Sequence, residues 1–423
     1  MISILFILFF ILLLIGVPIA FVLIISTALY GIAFGNIDWL LIPQRVAYGV
    51  NSYVMLCMPF FILAGNLMAQ GGITKRMVDV AQAFVGHIRG GLAFVDVIAC
   101  MLFGTISGSA ITGTTAIGTL LIPSMKEEGY GAGFSAGLTA VASTCCPVIP
   151  PSLAFVIYAS AAKVSVADMF TAGVLPGILM GGSLMIVAYV YSRKNNYVRK
   201  EKTPWKFRYK AILRALPCLG IPIMIIGGIT SGFFTPTEAA AMAVVYALIL
   251  SIIYRTLNLK FLWRSLVDSA IDSGAIMLIV GGCYLFGWVI SNERIAVHLT
   301  EALVSMDCSL FIKLLIINIV LLIVGMFMDS SPAILLVAPI LAPAMVGLGI
   351  DPIQTGMIIC INLVIGLSTP PVGVCLYAAS NIAKVNFQET VRSAIPFLIA
   401  TIIVLMLITY IPIITQIPFL ILG

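Results

Sequence analysis

Glycine, proline and serine interrupt long apolar runs at matching places in the two halves of this chain. The first half carries Gly104-Thr-Ile-Ser-Gly-Ser109, then Ile122-Pro-Ser-Met125, Pro147, the Pro150-Pro151 pair and Tyr158-Ala-Ser160. The second carries Gly325-Met-Phe-Met-Asp-Ser330, Ala342-Pro-Ala-Met345, Pro370-Pro371 and Tyr377-Ala-Ala-Ser380. Pro123 and Pro343, Gly129 and Gly349, and the two double prolines all share one offset. Broken apolar segments in corresponding positions of two halves point to a transporter's binding site.

Composition says what surrounds these breaks. Of 423 residues, 61% are hydrophobic and 9% charged, against about 25% charged in a soluble domain. A mean hydropathy of +1.18 leaves no room for a large water-exposed domain. The expected unit is an all-α polytopic membrane protein of two halves, 1–210 and 211–423. The apolar start, Ile2 to Ala33, has no basic leader and is expected to be retained membrane structure. The cysteines lie almost entirely in apolar segments without zinc or redox spacing, and adjacent Cys145-Cys146 reads as small core packing. The net charge of +6 is a topology signal rather than a nucleic-acid signal.

Segments able to cross roughly 30 Å of hydrocarbon fall near 50–70, 168–191, 213–231, 236–254, 269–290 and 391–412. The run 2–34 is punctuated by Gly16-Val-Pro18 and reads as two short spans, 2–15 and 18–34. Segments 133–162 and 351–381 are each interrupted by a double proline, so each is a broken span. Segments 92–125 and 309–346 have polar, glycine-rich middles and read as re-entrant hairpins. Each half then has five spans and one hairpin, and an odd number of spans inverts the second half relative to the first. With the N-terminus outside, all but Arg45, Lys163, Arg294 and Lys313 of the 22 Lys and Arg lie inside, as the positive-inside rule asks. The basic run Arg193 to Arg214 is then an inner loop near lipid headgroups.

Broken helices at membrane depth survive only where something satisfies their freed amides and carbonyls. The tip Ser107 to Thr115 faces the break Ser143 to Ser152, and the tip Met328 to Pro332 faces the break Asn362 to Pro371. Hydroxyls and carbonyls with one carboxylate or none form a hard-oxygen site suited to sodium. Asp329 is the one acidic residue expected well inside an apolar surround. A bare carboxylate there costs at least about 2.5–3.5 kcal/mol, and no Lys, Arg or His lies in either motif. Asp329 can equally cap the following helix, and the two roles are compatible. Small residues at the tips also suit plain helix packing. The amide ends of broken helices favour anionic groups, so with cations beside them the natural cargo bears a carboxylate.

With these motifs in place, the chain resembles the large membrane subunit of the tripartite ATP-independent periplasmic (TRAP) transporters over nearly its whole length. The resemblance lies in Met58-Pro-Phe-Phe-Ile-Leu-Ala-Gly65, Gly71-Gly-Ile-Thr-Lys-Arg76, Gly108-Ser-Ala110, Ile149-Pro-Pro-Ser152, Gly232-Phe-Phe-Thr-Pro-Thr-Glu-Ala239, Gly325-Met-Phe-Met-Asp329 and Thr369-Pro-Pro371. It implies an elevator-type carrier with scaffold and transport domains, driven by a sodium gradient. It also implies two partners, a small four-helix membrane subunit and a periplasmic substrate-binding protein. The cargo would be an organic acid such as sialic acid, a dicarboxylate or another sugar acid, and the location a bacterial inner membrane with both termini periplasmic. Carried over by motif, one sodium site would use Ser107, Ser109, Ser143, Pro150 and Ser152. A second would use Asp329, Ser330, Gly366, Ser368 and Thr369. Substrate would lie between the tips, at Thr112, Thr114, Ser331, Pro151 and Pro371. Where the family commonly has Ala-Asp, this chain has Thr112-Gly113.

Three rivals compete with this reading. A stand-alone sodium/carboxylate symporter would share the architecture. A channel would need one continuous pathway rather than two discrete breaks. An intramembrane aspartyl protease needs two aspartates sharing a proton, and Asp96, Asp268 and Asp272 are expected near the interfaces. Thr235-Pro-Thr-Glu238 reads as a capping box without a transport role. His87 and His298 read as packed or solvated histidines, and Trp39, Trp205 and Trp263 as interfacial anchors. No phosphate-loop motif occurs, which argues against ATP as the direct energy source.

Overall fold

The computed structural model describes residues 2–34, 38–70, 72–195, 197 and 204–422, and every regular element among them is helical. Several helices end where glycine closely follows an apolar run, among them α1, α6 and α11. α1 (Ile2–Leu14) and α2 (Ile19–Phe34) meet at Gly16, which takes φ +87°. α3 (Leu41–Val50), α4 (Cys57–Gln70) and α5 (Ile73–Val85) follow. A hairpin of α6 (Gly91–Ser107) and α7 (Ala110–Glu127) leads to a broken span: α8 (Ala132–Ala142), a 3-10 turn at Ser143–Cys145, and α9 (Leu153–Ala162). α10 (Val166–Lys194) is one long helix.

After α11 (Trp205–Thr230), α12 (Pro236–Ile253), α13 (Leu259–Asn292) and α14 (Ile295–Ser305), the same order returns. The hairpin is α15 (Leu310–Phe327) and α16 (Ser330–Gly347), the broken span α17 (Pro352–Gly366) and α18 (Val374–Ala383), and the long helix α19 (Phe387–Tyr410). α20 (Ile413–Leu422) ends the chain. Thr235 and Glu238 form the expected reciprocal cap at the start of α12.

Six described helices are long and apolar enough to cross a membrane: α10, α12, α13, α15, α16 and α19. Only four of them are among the ten expected spans, since α15 and α16 are expected as hairpin arms; α1, α2 and α4 are short, the apolar part of α11 is Ala215–Thr230, and two spans are split. α15 and α16, expected as arms of one hairpin, each run 18 residues, roughly 27 Å. The span expected at 50–70 begins only at Cys57, because Asn51–Leu56 is irregular. α13 starts at Leu259 rather than 269, its first turns carrying Lys260, Arg264 and Asp268 beyond the apolar window. Of the basic run, Arg199, Lys200 and Lys202 lie outside the described residues, as does Gly71.

The halves interlock rather than sit side by side. α7 packs on α18 and α16 packs on α9, so each hairpin's second arm covers the other half's broken span. α8 lies against both α18 and α19. Small residues permit the approach: a Cβ on Gly137 would stand 2.8 Å from the Ala394 amide nitrogen. On the other side, α13 packs on α2, α3 and α4. Phe6 and Phe9 of α1 meet Phe286, and Tyr30 donates a 2.9 Å hydrogen bond to Glu293. The apolar start is thus part of the packed structure.

Candidate functional site

Both hairpin tips are helix ends held by a short polar side chain. α6 stops at Gly108, which takes φ +58° and donates its N–H to Gly104 at 3.0 Å. Ser109 then caps α7, accepting from the Thr112 amide at 3.4 Å and the Thr112 hydroxyl at 3.2 Å. In the second half Met328 is extended and Asp329 caps α16, its Oδ1 accepting from the Ser330 amide at 2.6 Å. The capping role for Asp329 is therefore present. Its bonds to Ser330 both fall on Oδ1, and its side chain is exposed on the cavity described below.

The breaks opposite are built alike. Pro150-Pro151 and Pro370-Pro371 are both cis. Ser152 caps α9, accepting from the Phe155 amide at 3.2 Å while its hydroxyl donates to the Pro147 carbonyl. The first tip presses on the first break: a Cβ on Gly108 would lie 3.2 Å from the Leu153 nitrogen and 3.6 Å from the Pro151 carbonyl oxygen. In the second half Gly325 and Gly366 bring α15 and α17 together, since a Cβ on Gly325 would be 2.9 Å from the Leu363 carbonyl oxygen.

Between the tips lies a cavity of about 360 Å³. Ser107, Ser109 and Thr112 line it from the first tip, Asp329, Ser330 and Ser331 from the second, and Leu367 from the second break. The Ser107 hydroxyl is buried and has no hydrogen-bond partner among the described residues. Pro151 and Ser152 stand just behind, beside Ser107 and Gly108 in a narrower cleft. Pro150 is buried and Pro371 is exposed, and neither borders the cavity. Thr369 turns its hydroxyl back to the Ile365 carbonyl at 2.9 Å.

Three other candidate residues meet each other instead. Thr114 and Ser143 share a 2.6 Å hydrogen bond, and Ser368 donates to the Ala140 carbonyl at 2.7 Å. The Cys375 thiol joins all three. This buried cluster ties a tip helix and both breaks together at the seam between the halves, away from the cavity wall.

The wall opposite the tips was not legible in the sequence. Asn66 of α4 and Asp272 of α13 line it, with Asn66 donating to Ser269 at 2.9 Å. Asp272 was expected at an interface, but α13 begins at Leu259, which puts Asp272 roughly 20 Å along the helix. Asp96, five residues into α6, is fully buried within the protein, its Oδ2 accepting from Thr139 at 3.0 Å while Oδ1 has no partner among the described residues. Asp268 does lie at the surface, beside Arg264 at 3.7 Å. The cavity thus has two carboxylates, an amide and several hydroxyls, with no basic side chain among the described residues that line it. Oxygen donors alone, without thiolate or imidazole, suit a hard cation.

The family model for the tripartite ATP-independent periplasmic transporter, DctM component, matches residues 6–414. The chain belongs to the DctM family. It is 40% identical to the C4-dicarboxylate TRAP transporter large permease protein DctM of Pseudomonas aeruginosa, covering 85% of this chain and 84% of that one. It is 36% identical to the sialic acid TRAP transporter large permease protein SiaM of Vibrio cholerae, covering 94% and 93%. The fold is shared with the Alcanivorax borkumensis YdaH transporter, at a TM-score of 0.67 and 12% identity over 90% of this chain and 88% of that one. This DctM-family chain is a multi-pass membrane permease and not an enzyme, which removes the protease reading.

Proposed function

We propose that the chain is the large permease subunit of a sodium-gradient-driven TRAP transporter that imports a carboxylate-bearing solute. A periplasmic binding protein delivers the solute, and a small four-helix membrane subunit completes the complex in a bacterial inner membrane, with both termini of this chain periplasmic. Sialic acid, a dicarboxylate or another sugar or organic acid is the cargo, consistent with relatives named for sialic acid and C4-dicarboxylates. Transport is by elevator alternating access, with the two inverted halves contributing α6–α9 and α15–α18 to the moving part.

One observation carries the reading: two capped helix ends converge on one cavity whose acceptors have no cation among the residues lining it. Sodium, when bound, supplies that positive charge. Toward it, the first site offers the unpartnered Ser107 hydroxyl, Ser109 and the nearby Pro151 carbonyl. The second offers the free face of the Asp329 carboxylate with Ser330. Thr112 and Ser331 present hydroxyls on the same wall to the solute. The N-termini of α7 and α16 add amide dipoles that favour its carboxylate.

Uptake by the reconstituted complex under imposed ion gradients, across a panel of acidic solutes, tests this. A sodium gradient is expected to drive uptake only with the binding protein and small subunit present. Uptake driven equally well by a proton gradient without sodium would defeat it.

A further inference from the structure

A second cavity, of about 330 Å³, is lined entirely by Phe, Leu, Ile and Val. It runs between α1 and α13–α14 on one side and α15–α16 on the other, with Phe9, Phe286, Leu303, Val320 and Val337 on its walls. Along α15 the lining extends from Ile316 to Val324, roughly 12 Å of helix, approaching one leaflet of a roughly 30 Å hydrocarbon core. An apolar opening of this size holds no ordered water. The shape suits a single acyl chain.

Lys313 supplies the other end of such a molecule. It lies one turn before Ile316 and Ile317 on the same helix face, near the start of α15. It is only 9% exposed, and its Nζ donates to the Val304 carbonyl at 3.3 Å, next to groove-lining Leu303. An ammonium has three donors, and among the described residues no carboxylate pairs with this one. A mostly buried cation with unspent N–H groups, in line with a dry apolar slot, matches a phosphate joined to a hydrocarbon tail.

We propose that this groove binds one phospholipid, with its phosphate on Lys313 and one acyl chain along α15. The proposal is independent of the cargo and of the coupling ion.

The test uses the purified chain in nanodiscs containing phosphatidylglycerol with a photoactivatable diazirine on its acyl chain, followed by peptide mapping. Labelling is expected to concentrate on Phe9, Ile317 and Val337 over Ile312, Ile319 and Ile323, which are 44–49% exposed on the same helix as Ile317. Val320→Trp should remove the groove labelling. Lys313→Gln should lower it several-fold without changing the outer labelling, and Lys313→Arg should restore it, which separates lost binding from misfolding. Uniform labelling of groove and outer residues overturns the proposal, as does groove labelling indifferent to Lys313→Gln. Loss of groove labelling once the small membrane subunit is added also overturns it, assigning the groove to a protein partner.

Discussion

Single side chains at the tips divide into those that hold structure and those left with capacity to spare. Asp329 does both, bonding Ser330 while facing the cavity. Asp329→Ala is expected to abolish sodium-dependent uptake while leaving membrane insertion intact, measured as transport per inserted protein in proteoliposomes. Undiminished uptake would remove Asp329 from the ligands. Ser107 has no hydrogen-bond partner to lose among the described residues. Ser107→Ala should therefore leave the melting temperature unchanged but raise the sodium concentration for half-maximal uptake about tenfold, as expected for losing one charge-assisted contact of roughly 1.5 kcal/mol. Asp329 was legible because it is a lone charge in an apolar run. The place of Asp272 on the cavity wall and the enclosure of Asp96 were not, because the first depends on where α13 starts and the second on which neighbours enclose α6. Neither is written in local hydropathy.

At the scale of elements, several boundaries follow from glycine and proline. The corner at Gly16, the cap at Thr235 and Glu238 and both proline breaks lie where the chain's punctuation puts them. What the residues do not announce is how elements face one another. Thr114, Ser143 and Ser368 have the same hydroxyl chemistry as Ser107, yet they point into the seam between the halves. Periodicity cannot tell a seam from a cavity wall. The glycine contact between α15 and α17 gives one expectation. Gly366→Ala would drive a methyl into the Gly325 backbone, and a loss of about 1–3 kcal/mol is expected from overpacking, seen as a lower melting temperature. Breaking the cap at α12 is the contrasting case. Thr235→Ala should cost about 1 kcal/mol while sodium affinity stays as it was, since neither Thr235 nor Glu238 lines the cavity.

Across the whole molecule, the elevator reading requires α15–α18 to slide against α13–α14. Thr300 of α14 and Gly347 of α16 meet closely, with a Cβ on Gly347 standing 2.9 Å from Thr300 Cγ2. In a cysteine-free background, a disulfide between Thr300→Cys and Gly347→Cys is expected to stop uptake, and reduction should restore it. Full activity in the oxidised pair would argue against sliding at this contact. The crossed packing of α7 on α18 and α16 on α9 has a consequence for synthesis. When the ribosome has finished α10, α9 still lacks the helix that will cover it, and that helix begins 136 residues later, counting from Lys194 to Ser330. The nascent first half must wait in the bilayer with one flank open. Expressed alone, it should be a substrate for quality control rather than half a permease.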